Sequence, residues 1–148
     1  MTVIESAWPS HPGYRIDLEA VPGIARVWHG DLLVAESSAA LRVIETRHVH
    51  RLYFPEADVR LDLFEENDHH TICPFKGEAD YWTLTASNPP AEDIFWTYRT
   101  PLTEVAGLAG YLGVYHEKDG VRVEIETPSP DGGESTSRSF PEEPGPTS

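Results

Sequence analysis

Cys73 and Lys76 stand three residues apart in the run Thr71-Ile72-Cys73-Pro74-Phe75-Lys76-Gly77-Glu78-Ala79-Asp80-Tyr81-Trp82. Cys73 is the single cysteine of the chain. An ammonium beside a thiol favours the thiolate, the form that attacks electrophiles. This spacing makes Cys73 a candidate nucleophile, with His69 or His70 as its base. The competing reading is a buried Cys73 acting as a small apolar side chain, with Pro74 and Gly77 simply shaping a turn. Lys76 is a candidate anion-binding charge in its own right, because a turn can present backbone N–H groups beside it.

Strand periodicity adds further candidates. If 49–54 is extended, Arg51 and Tyr53 share a face with Val49, while Leu52 and Phe54 point the other way. In the same manner Ala79 and Tyr81 share a face, as do Ile94, Trp96 and Tyr98. Arg51, Tyr53, Lys76, Tyr81, Trp96 and Tyr98 therefore form a polar-aromatic set. If the strands converge, two cations lie beside aromatic walls, a setting for a small anion with a planar or apolar body. The alternative is that these aromatics are core and that Arg51 pairs with a carboxylate such as Asp58 or Asp80.

Other clusters weigh less. His48-x-His50 and Asp68-His69-His70-x-x-Cys73 contain metal-ligand types, but the spacing matches no zinc pattern, so no metal site and no cofactor are expected. Glu65-Glu66 and Glu78-x-Asp80 read as solvated faces of an acidic chain. The P-loop, the dinucleotide-binding glycine fingerprint and the nucleophile elbow are all missing from the sequence.

These residues need elements to position them. At 148 residues the chain suits one domain. Its formal charge is −14. Residues 127–148 carry four carboxylates against one arginine, −3 of that total, so most of the charge belongs to the folded part. Such a field repels phosphate backbones and argues against nucleic acid. No apolar run reaches the length of a membrane span, and the N-terminus lacks the pattern of a signal peptide. With one cysteine, a reducing, cytoplasmic compartment is the expectation.

Residues 127–148, rich in Pro, Gly, Ser, Thr and Glu, read as a disordered acidic tail. Residues 1–12 read as loosely ordered, with Trp8 as a possible anchor, leaving a domain over 13–126. Within it the apolar period is 2. Gly30-Asp31 suits a two-residue hairpin turn between Ala25–His29 and Leu32–Glu36. Val59–Leu63 alternates as a strand. Asp119-Gly120 is expected to close a second hairpin between Tyr111–Tyr115 and Val121–Ile125. Pro55–Asp58 and Pro101–Gly107 suit short helical turns. The class is mainly β, built of short antiparallel strands.

The segment Cys73–Trp82 resembles the signature C-P-[FY]-K-G-x-A-x-Y-W of a widespread bacterial domain of unknown function, family 427. Arg51–Val59 is similar to that family's Tyr-Phe-Pro-x-x-Asp-Val block. Trp96–Pro101 is similar to its Trp-x-Tyr-x-x-Pro block, and Gly110–Tyr115 to its final strand. The resemblance covers about residues 23–126. It implies a β-tent-like arrangement, small antiparallel sheets with one or two short helical turns. Zinc-binding relatives of that fold use paired Cys-x-x-Cys ligands, which this chain lacks. The family has also carried a nucleotidyltransferase-like label, but no paired Asp-x-Asp follows a Gly-Ser here. The functional expectation is a domain binding a small anionic molecule around Arg51, Lys76, Tyr81 and Trp96. The rivals are a Cys73-dependent or nucleotidyltransferase-like enzyme and a protein-interaction module.

Overall fold

Alternating apolar residues on short strands demand a second layer on each buried face, and the computed structural model supplies it on both faces of one sheet. The structure describes residues 4–129 and 132–141. Among them the strands run β1 (Ile16–Ala20), β2 (Ile24–His29), β3 (Leu32–Ser37), β4 (Leu41–Glu45), β5 (Arg51–Pro55) and β6 (Phe64–Cys73). They continue as β7 (Gly77–Leu84), β8 (Ala91–Thr97), β9 (Tyr111–Val114), β10 (Val121–Thr127) and β11 (Thr136–Phe140). Seven of them form one sheet in the order β1-β4-β5-β9-β8-β7-β6, and four form a second in the order β11-β10-β2-β3. Every strand pairing is antiparallel. The mainly β expectation holds, with 3-10 turns at Trp8–Ser10, Glu56–Asp58, Leu61–Leu63 and Thr103–Leu108.

β5 shows why both faces of the large sheet are covered. Leu52 and Phe54 pack with Val27, Val123 and Ile125 of the small sheet in a first core. Tyr53, one residue out of phase, packs with Val43, Ala79, Trp96 and Tyr98 in a second core. Val105 and Leu108, from the 3-10 segment after β8, close that second core. The outer face of the large sheet is therefore a packed aromatic surface, and the candidate residues sit on it.

Gly30-Asp31 does close the β2–β3 hairpin, with His29 opposite Leu32. Gly30 adopts φ +59, a left-handed value that glycine reaches without a Cβ penalty. The second hairpin does not form. β9 lies between β5 and β8 in the large sheet, whereas β10 pairs with β2 and β11 in the small one. The Lys118–Gly120 turn is a crossover between sheets, because β9 is apolar enough to be central and finds two partners there. Val59–Leu63 is not a strand either. Val59 makes a single bridge to Ala35, and Leu61–Leu63 turns so that Leu61 and Leu63 reach the first core.

Described segments near both ends of the chain add to the domain. Residues 136–140 of the tail pair along β10, and Phe140 is 5% exposed in the first core. One aromatic side chain and a ladder of backbone bonds suffice to hold this stretch. The rest of the expected tail lies partly among residues 130, 131 and 142–148, outside the described residues. At the other end Trp8 is indeed an anchor. Its Nε1 donates to the Phe75 carbonyl at 2.8 Å, and the Ala7 N–H donates to the Pro74 carbonyl at 3.0 Å.

Candidate functional site

The turn between β6 and β7 aims Lys76 inward. Cys73 pairs with Gly77 at the end of the hairpin, and the Lys76 N–H donates to the Cys73 carbonyl at 3.2 Å. Gly77 takes φ +127, which a side chain would resist. The turn is gripped from outside. Tyr14 stacks on Phe75 with ring centres 3.8 Å apart, and the Leu102 N–H donates to the Lys76 carbonyl at 2.9 Å. Lys76 is thus 8% exposed. Its ammonium donates to Oε1 of Glu45, itself 8% exposed. The Tyr14 hydroxyl donates to Oε2 of the same carboxylate, and His48 Nδ1 lies 3.8 Å from it. Burial, reinforced by the Glu45 hydrogen bond and charge, pushes the Tyr14 hydroxyl above its ordinary range, so it stays a donor.

Beside this ion pair is a cavity of about 100 Å³. Val43 and Glu45 of β4, His48 and Val49 of the following loop, Arg51 and Tyr53 of β5, and Lys76, Trp96 and Tyr98 line it. Gly113 of β9 makes the aromatic wall possible, since it lies opposite Tyr53 on one side and Trp96 on the other. A Cβ there would stand 2.6 Å from the Trp96 ring and 2.9 Å from the Tyr53 ring. Across that gap Trp96 Nε1 donates to the Tyr53 hydroxyl at 3.0 Å. Tyr98 is 6% exposed, and its hydroxyl has no hydrogen-bond partner among the described residues. Burial pushes its pKa up, keeping the proton in place.

Of the six sequence-predicted ligand residues, Arg51, Tyr53, Lys76, Trp96 and Tyr98 meet at this cavity. Tyr81 does not. Its hydroxyl is 2.9 Å from Thr71 Oγ1, and its ring stacks on His69 with centres 4.3 Å apart. The expected pair of uncompensated cations is corrected. Lys76 holds Glu45, and Arg51 donates to Glu117 while lying over the Tyr115 ring at 5.0 Å. Arg51 does not reach Asp58 or Asp80. Asp58 accepts from Ser37, and Asp80 accepts from Arg99 at 2.7 Å and faces His70 at 2.7 Å. Asp80 is therefore part of an ion-pair cluster, not a solvated carboxylate.

Sequence reasoning missed Glu45, although a signal for it existed. Leu41, Val43 and Glu45 alternate along β4, so Glu45 shares the face of two apolar residues. An acid there needs a buried partner. Cys73 is partly buried against the second core and is absent from the cavity lining. Its sulfur makes no hydrogen bond among the described residues. His69 and His70 are turned to Asp93 at 2.9 Å and Asp80 at 2.7 Å, so neither is placed as a base for it. Among the described residues no group of three or more His, Cys, Asp or Glu side chains is arranged to hold a metal ion. Nor is any helix among them long and apolar enough to cross a membrane.

Comparison with known families adds one match. A family model described as a domain of unknown function, DUF427, matches residues 17–127, three-quarters of the chain and all of the site except the N-terminal residues that brace it. No curated protein matches the chain.

Proposed function

The chain belongs to the DUF427 domain family, and on that premise we propose that it is a small-ligand-binding domain whose site is the cavity bounded by Arg51, Lys76 and Tyr98. The unspent hydrogen-bonding capacity there is donor capacity. Lys76 has three N–H groups and Glu45 occupies one, while both Glu45 oxygens are engaged. Tyr98 has an O–H with no partner among the described residues. Such a lining favours a ligand that accepts, a carbonyl or a carboxylate. Glu45 already balances Lys76, so the ligand need not bring a full charge to that end. At the other end Arg51 is held by a Glu117 side chain that is half exposed, and an exposed ion pair of this kind contributes only about 0–1 kcal/mol. A ligand carboxylate can take that carboxylate's place. Val43, Val49 and Trp96 offer apolar contact to a short body. The volume is smaller than the ~150 Å³ that accommodates the six carbons of benzene, so the ligand has at most about five heavy atoms.

The observation that carries this reading is the unspent hydroxyl of the largely buried Tyr98, in a cavity beside a neutralised lysine. A Cys73-dependent transfer finds less support, because Cys73 neither lines the cavity nor meets a base. Calorimetric titration with propionate, propionamide and propanol tests the proposal. Binding of the carboxylate or the amide, weakened by about 0.5–1.5 kcal/mol in Tyr98→Phe, is the expected result. No binding in the series, or equal binding in Tyr98→Phe, overturns it.

A further inference from the structure

Arg47 is unlike the other arginines of this protein. It is exposed and makes no hydrogen bond or ion pair among the described residues. Arg15, Arg26, Arg51, Arg60, Arg99 and Arg122 each hold a carboxylate, and Arg42 and Arg138 have partners as well. The chain has 25 carboxylate side chains for 11 lysines and arginines, so an arginine without one is conspicuous. Arg47 also holds φ +59, one of two non-glycine residues with positive φ among those described.

Arg47 lines a second concavity, about 240 Å³, with His11, Gly13, Tyr14 and Thr46. The Tyr14–Glu45 hydrogen bond joins a residue lining this concavity to one lining the inner cavity. The carboxylates on the adjoining elements are already occupied. Glu45 is balanced by Lys76, and Asp17 is paired with Arg15 at 3.1 Å. Tyr14 and Thr46 have their hydroxyls committed, Tyr14 to Glu45 and Thr46 to the backbone of Arg15. The concavity thus presents a guanidinium fork with no acid left over to neutralise it, on a molecule that is elsewhere strongly negative.

We infer that this outer concavity is an oxyanion-binding site, with Arg47 as its principal ligand and a phosphoryl or carboxylate group as its occupant. A planar guanidinium presents paired N–H donors matched to two oxygens of such a group. This inference does not depend on the inner cavity's ligand.

Amide NMR titration of the full chain with inorganic phosphate, and separately with acetate, tests it. The expected result is a saturable displacement of the Gly13, Thr46 and Arg47 signals, with affinity at least ten-fold weaker in Arg47→Gly. Glycine suits φ +59, so this variant removes the charge without straining the turn. Tighter binding of phosphate assigns the site to phosphoryl groups, and tighter binding of acetate to carboxylates. Tyr98→Phe should leave the titration unchanged, which separates this site from the inner one. Displacements that do not saturate, that sodium chloride reproduces at equal ionic strength, or that persist in Arg47→Gly overturn the inference.

Discussion

A lysine with 8% of its surface exposed gives up most of its hydration, and Glu45 is what makes that tolerable for Lys76. Lys76→Met leaves a buried carboxylate facing only Tyr14 and His48. It should destabilise the fold by about 3–5 kcal/mol in urea denaturation. The double variant Glu45→Gln, Lys76→Met should recover much of that loss, because no charge is left stranded. Equal stability of Lys76→Met and the parent would mean that the pair is not the anchor described here. Gly113→Ala tests the aromatic wall. The added methyl meets two rings, and overpacking of this kind costs about 1–3 kcal/mol, read as a lower thermal midpoint with altered Trp96 emission. Arg51, Tyr53, Trp96 and Tyr98 were legible in the sequence because each sits in a short stretch whose alternation fixes a face. Glu45 was not, because its role depends on which turn delivers a cation to β4, a contact spanning 31 residues.

At the scale of elements, local signals were readable and partner choice was not. Two residues with a glycine between alternating runs give β2–β3, since loop length and handedness decide it. β9 and β10 show equally good alternation around Asp119-Gly120. Each nevertheless has better partners elsewhere, and nothing in the two runs reveals that competition. β6 was missed for a different reason. It is a polar edge strand, rich in charge and interrupted by an irregularity between Glu66 and His70, the form by which sheet edges resist pairing with other chains. β11 reverses the expectation for residues 136–140. Phe140 packs in the first core, contacts His116 edge-on with ring centres 5.1 Å apart, and lies under Arg42 at 5.1 Å. Phe140→Ala should therefore cost about 3 kcal/mol, the lower end for a buried phenylalanine, and a chain ending at Thr127 should melt lower than the parent. Unchanged melting of both would return this strand to the status of a passive tail.

At the scale of the whole molecule, one part of the acid stability rests on His116. Burial lowers the pKa of His116 below 6.5, and Arg51, 3.5 Å away, adds to the effect against the opposing pull of Glu117. Once pH falls below 6.5 the unfolded chain takes up a proton that native His116 resists. The contribution is therefore complete above that value and is lost on acidification. Glu66, held down by Arg99, acts in the same direction only below its ordinary 4.5. So does Glu117, where Arg51 outweighs the opposing effect of burial. Urea midpoints of the parent and His116→Gln, measured from pH 7.5 to 5, should diverge below 6.5 with the parent falling faster; parallel curves would refute this. One more consequence follows from the pairing of β10 with β2, in which Ala25 meets Ile125. On a ribosome β2 and β3 emerge before β10, and the inner edge of their hairpin must wait about a hundred residues of translation for its neighbour. Through that interval the nascent chain exposes an unpaired, apolar strand edge. Synthesis speed and chaperone access, rather than final stability, would then govern how much of this protein reaches its native form.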